Sequence, residues 1–113
     1  MHELALCQSV VDLVIECARD EGANRVTRVT IEVGAAAGVE PDALRFCFDI
    51  VTIDTVAQGA ELAIETIALG ARCRDCACEF SPQRMFSACP RCGSGAPILL
   101  TGRELRVKSF DCE

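Results

Sequence analysis

The sequence has no tryptophan and no tyrosine, only five phenylalanines in 113 residues, and a formal net charge of −6 at pH 7. Proteins that stack nucleic-acid bases rely on aromatic side chains, and proteins that hold the phosphate backbone rely on an excess of Lys and Arg. Because both features are lacking, we expect that nucleic acid is not a partner of this chain.

Long apolar runs are also lacking. No segment approaches the roughly 20 consecutive apolar residues that cross a bilayer, and the opening Met1-His2-Glu3 has neither the basic stretch nor the apolar run of a signal peptide. His2 is the only histidine, which leaves no Ser, His and Asp set for hydrolysis, and no Gly-rich loop is suited to phosphate. The sequence therefore predicts a cytoplasmic protein that contacts no membrane and is not an enzyme.

The charges that are present divide unevenly along the chain. Residues 1–69 hold four Lys or Arg against twelve Asp or Glu, a balance of −8, whereas residues 70–113 hold seven against five, a balance of +2. The acidic first part would suit a cationic partner surface, but a solvated acidic face is the simpler interpretation.

Nine cysteines are far more than average, but their odd number and the lack of a signal peptide argue against a secreted disulfide framework. Two Cys-x-x-Cys pairs, Cys73 with Cys76 and Cys89 with Cys92, are separated by twelve residues, and two such pairs hold one zinc ion in a tetrahedron. Four thiolates leave the ion no position for a substrate, so we expect a structural role. A redox enzyme would more typically have a single such pair. Cys78 is a fifth candidate ligand, but the two complete pairs leave it no vacancy.

Two helices and three strands are predicted from the spacing of apolar residues outside the segment 70–102. We expect Gly22 to end the first helix and Pro41 to open the second. The apolar positions are Leu4, Cys7, Val11, Val14 and Ala18 in the first helix, Leu44, Cys47, Phe48 and Val51 in the second, and Val29, Ile31, Val33, Leu62, Ile64, Leu105 and Val107 in the strands.

The first three residues predict a second metal site of a different kind. The amine of Met1, the backbone nitrogen and imidazole of His2, and the backbone nitrogen of Glu3 can close fused chelate rings around one ion. Deprotonated amides and an imidazole in one plane suit Ni(II) or Cu(II) rather than zinc. A histidine in this position is more often incidental, and the spacing alone leaves that alternative open.

Together these patterns predict an α+β fold. Residues 1–69 and 103–113 would form a small nickel-binding domain with two helices and a three-stranded sheet. Residues 70–102, with few large apolar residues, would form a zinc-ribbon-like domain inserted before the last strand. Because burial cannot order that insert, metal binding must supply folding free energy, typically ~10 kcal/mol or more.

The sequence resembles the hydrogenase-maturation nickel metallochaperones of the HypA/HybF type from one end to the other. The segments that carry the resemblance are Met1-His2-Glu3-Leu4, Cys7-Gln8-Ser9, Arg25-Val26-Thr27, Phe46-Cys47-Phe48-Asp49, Val56-Ala57-Gln58-Gly59-Ala60, both Cys-x-x-Cys pairs, and Gly102-Arg103-Glu104-Leu105-Arg106-Val107-Lys108-Ser109.

The resemblance implies that Ni(II) is transported cargo, held by the Met1 amine, His2 and the Glu3 amide, and that Zn(II) is structural. It also implies delivery of nickel to the large subunit of a [NiFe]-hydrogenase together with a nickel-inserting GTPase, with urease as a further client of some members. We expect a monomer or weak homodimer. The alternative function is a zinc-ribbon protein- or nucleic-acid-binding module without nickel.

One segment departs from the family pattern. Ala35-Ala36-Ala37 follow Val33-Gly34, where the family usually has a glutamate or alanine and then a bulky residue and serine. The departure puts in doubt any accessory contact that this loop makes to a metal or a partner. Glu40 lies just beyond it and offers a carboxylate.

Overall fold

The architecture is taken from a computed structural model, which describes residues 3–84, 87–95 and 97–113. Within these residues two helices and six strands follow one another along the chain. They are α1 (Glu3–Asp20), β1 (Val26–Gly34), α2 (Pro41–Val51), β2 (Glu61–Ile67), β3 (Gly70–Cys73), β4 (Glu79–Phe80), β5 (Pro97–Thr101) and β6 (Leu105–Cys112). The predicted α+β class is confirmed, and in the described residues no helix is long and apolar enough to cross a membrane.

Helix α1 buries four of its five predicted apolar positions: Cys7, Val11, Val14 and Ala18. Leu4 is exposed, because it lies in the first turn of the helix, and Val10 joins the buried positions instead. Gly22 ends the helix as predicted: its φ is +70°, and its N–H donates to the Arg19 carbonyl at 3.0 Å. Glycine adopts this left-handed conformation without steric cost.

Helix α2 begins at Pro41, as predicted, and packs on α1. Its cap is Glu40, whose carboxylate accepts a hydrogen bond from the Asp42 N–H at 3.2 Å. Leu44 and Phe48 are buried, whereas the other two predicted apolar positions, Cys47 and Val51, are half-buried. The face turned to the core is therefore narrower than the sequence pattern indicates.

Three strands pair in the order β2-β1-β6, which confirms that the last strand joins the earlier two in one sheet. In β1, Val29, Ile31 and Val33 are buried, and the residues between them, Thr30 and Glu32, are half-buried. Ion pairs join charged side chains of these strands. They are Arg28 with Glu61 (3.3 Å), Arg106 with Glu32 (2.6 Å) and Lys108 with Glu65 (3.0 Å).

Strand β6 does not bury its predicted apolar face as fully as β1 does. Leu105 is exposed and Val107 is half-buried. Strand β6 lies at the edge of its sheet and has a neighbouring strand on one side only. Its side chains therefore have fewer neighbours than those of the central strand β1. An alternating sequence pattern indicates a strand but does not distinguish an edge strand from a central one.

The segment 70–102 contains a second sheet that its irregular sequence did not predict. Its order is β4-β3-β5, with both pairs antiparallel, and Arg72 lies opposite Glu79 on β4 and opposite Ile98 on β5. These strands are two to five residues long, so none shows enough alternation to be recognised. The three-stranded form agrees with the predicted zinc-ribbon-like character.

The chain divides into two compact units. The first comprises 1–32, 39–65 and 106–113, and the second comprises 33–38 and 66–105. The first unit contains α1, α2 and the largest buried side chains, chiefly Phe48 and Leu44. In the second unit, Gly34 lies so close to Gly102 that a Cβ on Gly34 would overlap the Gly102 carbonyl, so only glycine fits there.

Candidate metal centre

The first Cys-x-x-Cys pair forms a tight turn at the end of β3, which we call the first knuckle (residues 73–78). Cys73 is the last residue of β3, and its N–H donates to the Cys78 carbonyl at 2.9 Å. Its carbonyl accepts from Ala77 at 3.0 Å, and its sulfur accepts from the Asp75 N–H at 3.4 Å. The turn therefore folds its backbone donors around one sulfur.

The second knuckle (residues 89–94) repeats these bonds at the corresponding positions. The Cys89 N–H donates to the Ser94 carbonyl at 2.8 Å, and the Cys89 carbonyl accepts from Gly93 at 2.9 Å. The Cys89 sulfur accepts from the Arg91 N–H at 3.4 Å. Gly93 has a φ of +79°, a left-handed conformation that glycine adopts without steric cost.

The two knuckles bring their sulfur atoms together. The Sγ atoms of Cys73 and Cys92 are 3.4 Å apart, those of Cys76 and Cys89 are 3.6 Å apart, and all four lie within 4.8 Å of one another. Zinc bound tetrahedrally at about 2.3 Å from each sulfur requires sulfur atoms roughly 3.8 Å apart. These distances fit such an ion and are far longer than the ~2.05 Å of a disulfide bond.

The backbone donors of the knuckles favour thiolates, which are the form that binds metal. Hydrogen bonds from the N–H groups of Cys92 and Arg91 lower the pKa of the Cys89 thiol to about 6, against the effect of burial. The N–H groups of Cys76 and Asp75 lower the pKa of Cys73 in the same way. The Cys89 thiol is therefore poised to lose its proton below neutral pH, and the Cys73 thiol loses its proton more readily than an ordinary cysteine.

The four cysteines differ in how far solvent reaches them. Cys73 and Cys89 are buried, Cys76 is half-buried, and Cys92 is exposed. Cys78 is not a member of the four-sulfur group; its thiol donates to the Glu79 carbonyl at 3.7 Å. Among the described residues, these four cysteines are the one group of three or more His, Cys, Asp or Glu side chains close enough to share an ion.

The remaining cysteines lie elsewhere in the chain. Cys7 is buried in α1, where its thiol donates to the Leu44 carbonyl of α2 at 3.2 Å and burial raises its pKa to about 11. Cys17 and Cys47 are half-buried and Cys112 is exposed. The Cys7 thiol thus behaves as the small buried hydrophobe that its helical position predicts.

Met1 and His2, two of the three predicted nickel ligands, lie outside the described residues. The third, Glu3, is the first residue of α1, and its carboxylate accepts a hydrogen bond from the Glu40 N–H at 3.3 Å. A carboxylate is favourable at the N-terminus of a helix, and Glu40 caps α2. This contact fixes the start of α1 at the start of α2.

Two features of the site were not predicted from the sequence. Ala77 adopts a φ of +63°, the conformation of Gly93 in the other knuckle, although alanine is disfavoured there. The sequence signal for this conformation is that Ala77 directly follows Cys76, the second cysteine of its Cys-x-x-Cys pair. Glu40, which the sequence offered as a metal carboxylate, has that carboxylate engaged in capping α2, and its backbone holds Glu3.

Comparison with protein families finds one model that matches residues 1–112, described as "Hydrogenase/urease nickel incorporation, metallochaperone, hypA". Among curated relatives, the hydrogenase maturation factor HybF of Klebsiella pneumoniae is 49% identical over 113 residues, and the hydrogenase maturation factor HypA of Geotalea uraniireducens is 44% identical over 113 residues. Each comparison covers 100% of both chains.

Two solved structures share the fold. The solution structure of the Ni metallochaperone HypA from Helicobacter pylori aligns with a TM-score of 0.69 at 24% identity, covering 99% of this chain and 97% of that one. A second solution structure, described as HypA protein, aligns with a TM-score of 0.77 at 25% identity, covering 100% of this chain and 97% of the other.

Proposed function

Because the chain belongs to the HypA family of hydrogenase maturation factors, we propose that it is a nickel metallochaperone that binds Ni(II) at its amino terminus. It would deliver the ion to the large subunit of a [NiFe]-hydrogenase. The observation that carries this proposal is the family match over residues 1–112, which includes the opening Met1-His2-Glu3.

The nickel ligands in this proposal are the amine of Met1, the backbone nitrogen and imidazole of His2, and the backbone nitrogen of Glu3. Amide nitrogens bind a metal only after they lose their protons, and such strong-field donors in one plane suit Ni(II). All are supplied by three consecutive residues at a chain end, which suits an ion that must be handed on. The ion is cargo and takes part in no reaction here.

The contact between Glu3 and Glu40 supports this assignment. The amide proposed as a ligand belongs to the first turn of α1, where N–H groups are not part of the helix's own hydrogen-bond ladder. Metal binding at this nitrogen therefore need not break the helix. The Glu3 carboxylate, bonded to the Glu40 N–H, keeps that turn in place while the backbone binds the ion.

We propose that Cys73, Cys76, Cys89 and Cys92 hold Zn(II) in a structural role. The zinc domain would comprise residues 70–102, inserted in a nickel-binding domain of residues 1–69 and 103–113. A filled tetrahedron of thiolates offers no position for a substrate, and the short strands of the segment 70–102 bury few large apolar side chains. The ion would replace the missing core by cross-linking two turns.

The proposed partners are the hydrogenase large subunit and the nickel-inserting GTPase of the same maturation pathway, and urease is a second client that the description of the matching family names. Nucleotide chemistry belongs to the GTPase, and we assign no catalysis to this chain, which we place in the cytoplasm as a monomer or weak homodimer. The alternative, a zinc-ribbon binding module without nickel, predicts no affinity for Ni(II) at the amino terminus.

Calorimetric titration of untagged protein with Ni(II) tests the proposal. We expect the parent chain to bind one Ni(II), His2→Ala to lose tight binding because the imidazole is gone, and a Gly-Ser extension before Met1 to lose it because the amine moves away. The matched control is the same extension after Glu113, which should bind as the parent does. Zinc content should stay unchanged in all of them.

Two results would contradict the nickel assignment. One is a parent chain with its native amino terminus that takes up no Ni(II). The other is a His2→Ala variant, or an extended variant, that binds Ni(II) as tightly as the parent. Either result would favour the zinc-ribbon alternative.

A further inference from the structure

Helix α2 exposes three large apolar side chains on one side. Phe46 is 68% exposed, Ile50 is 46% exposed, and Ile53, in the turn that follows the helix, is 54% exposed. Of the phenylalanines that the structure describes, Phe46 alone is exposed. We call these three residues the α2 stripe. Single exposed apolar residues are normal on protein surfaces, but three neighbours form a patch.

The spacing of the α2 stripe places its members side by side. Positions i, i+4 and i+7 of a helix lie on one face, and this is the pattern of helices that dock into apolar grooves of partners. The helical course continues past Val51: the Thr52 N–H donates to the Phe48 carbonyl at 3.1 Å and the Ile53 N–H to the Ile50 carbonyl at 3.3 Å. Ile53 therefore extends the row that Phe46 and Ile50 begin.

The fold of the first unit does not need the α2 stripe for its core. Leu44 and Phe48 supply the buried side of α2, each about 1% exposed, and they lie on the opposite side of the helix from Phe46 and Ile50. These three side chains, 46–68% exposed, forgo part of the favourable free energy that full burial would provide. This loss is recovered if a partner covers the stripe.

Carboxylates surround the α2 stripe. Asp42 and Asp49 are exposed on the same side of α2, and the exposed Asp54 follows Ile53 directly. Arg45 is the one Lys or Arg between Arg28 and Arg72, and its guanidinium donates to the Leu62 carbonyl of β2. The apolar row thus has an acidic rim.

The negative charge of the acidic rim limits which partners can bind the α2 stripe. A second copy of this chain would bring the same carboxylates against it, and like charges across an interface are repulsive. Anionic lipid headgroups and nucleic-acid phosphates are repelled for the same reason. A protein surface with an apolar pocket edged by Lys or Arg complements both the row and its rim.

We propose that the α2 stripe and its acidic rim are the docking surface for a cationic protein partner in nickel transfer. This inference rests on the proposed function for the choice of partner. Glu40 caps the same helix and holds Glu3, and Phe46 is six residues further on, about 9 Å along the helix axis. A protein docked on the stripe lies beside the start of α1, where the nickel ligands are proposed.

Binding measurements with two purified probes test this proposal: the nickel-inserting GTPase and the hydrogenase large subunit of the same organism. We expect at least one probe to bind the full chain, and Phe46→Ser to weaken that binding by about 30-fold, as truncation of a central aromatic anchor does. Ile50→Ser should weaken it in the same direction. The matched control is Leu13→Ser, since Leu13 is 49% exposed on α1 and lies outside the stripe.

The acidic rim has its own test with the same probes. Asp42→Lys and Asp49→Lys should slow association, and the parent's binding should weaken as salt is raised, because exposed charges are screened within about 10 Å at 0.1 M salt. Asp20→Lys makes the same charge change at the end of α1 and should leave binding within about twofold of the parent.

Several outcomes would overturn the proposal. They are equal binding of parent and Phe46→Ser, equal losses in Leu13→Ser and Phe46→Ser, or no binding of either probe. If sedimentation shows that the parent is a dimer and that Phe46→Ser is a monomer, the surface binds a second copy of the chain instead. If the parent binds anionic vesicles and Phe46→Ser does not, the surface binds a membrane instead. Nickel titration distinguishes a failure of the docking proposal from a failure of the proposed function. Phe46→Ser should bind Ni(II) as the parent does. A parent chain that binds a probe but binds no nickel would overturn only the nickel assignment.

Discussion

Individual residues at the two knuckles show how backbone conformation limits the choice of side chain. Ala77 and Gly93 occupy equivalent positions, with φ values of +63° and +79°, and both donate their N–H to the carbonyl of the first cysteine of their knuckle. An L-residue with a Cβ costs roughly 1–2 kcal/mol in this conformation. The first knuckle therefore carries a strain that the second avoids.

Relief of this strain is a testable prediction. Ala77→Gly should stabilise the zinc-bound fold by up to about 1 kcal/mol, less any entropy that glycine adds to the unfolded chain. Gly93→Ala should destabilise it by about 1 kcal/mol, since a Cβ at Gly93 meets no atom within 4 Å and only the positive φ opposes it. Competition with a zinc chelator measures both. Similar zinc affinities of Ala77→Gly and Gly93→Ala would contradict the backbone strain assigned to Ala77.

At the scale of secondary-structure elements, the contact between the starts of α1 and α2 depends on one residue. Glu40 caps α2 through its carboxylate and holds Glu3 through its backbone N–H. The Cys7 thiol joins the same two helices one turn further along. The helices are thus tied together close to the proposed nickel ligands.

Removal of the cap should loosen this arrangement. We expect Glu40→Ala to lower the free energy of unfolding by about 1 kcal/mol, because the Asp42 N–H loses its acceptor. The matched control is Asp49→Ala, which removes an exposed carboxylate of α2 that caps no helix end. It should change the free energy of unfolding by less than about 0.5 kcal/mol. Urea denaturation of both variants provides the comparison, and equal effects would exclude a capping role.

At the scale of the whole molecule, two compact units depend on different sources of stability. The first unit buries large apolar side chains, including Phe48, Leu44 and Val14. The second has short strands and brings four cysteine sulfurs within 4.8 Å of one another. The first can be ordered by burial, whereas the second requires a cross-link.

Loss of zinc should therefore act on one unit. We expect Cys73→Ala, or treatment with a chelator, to abolish zinc binding and to expose the amides of residues 70–102 to rapid hydrogen exchange. The helices α1 and α2 should keep their protection. A matched control is Cys78→Ala, which removes a cysteine outside the four-sulfur group and should retain one zinc ion per chain. A folded protein with four metal-free thiols, seen by mass spectrometry, would contradict the structural-zinc proposal.

The sequence by itself determined the class of fold, the two helices, the presence of the last strand in the same sheet as the first two, and the four cysteines that meet. These features follow from local patterns: periodic burial, Gly22 and Pro41 at helix ends, and the Cys-x-x-Cys spacing. The tertiary structure alone decided that Leu105 is exposed at a sheet edge, that Glu40 holds Glu3, and that Phe46, Ile50 and Ile53 form an exposed row. The reason is physical: an apolar residue records a preference for burial, but whether anything covers it depends on residues distant in the chain.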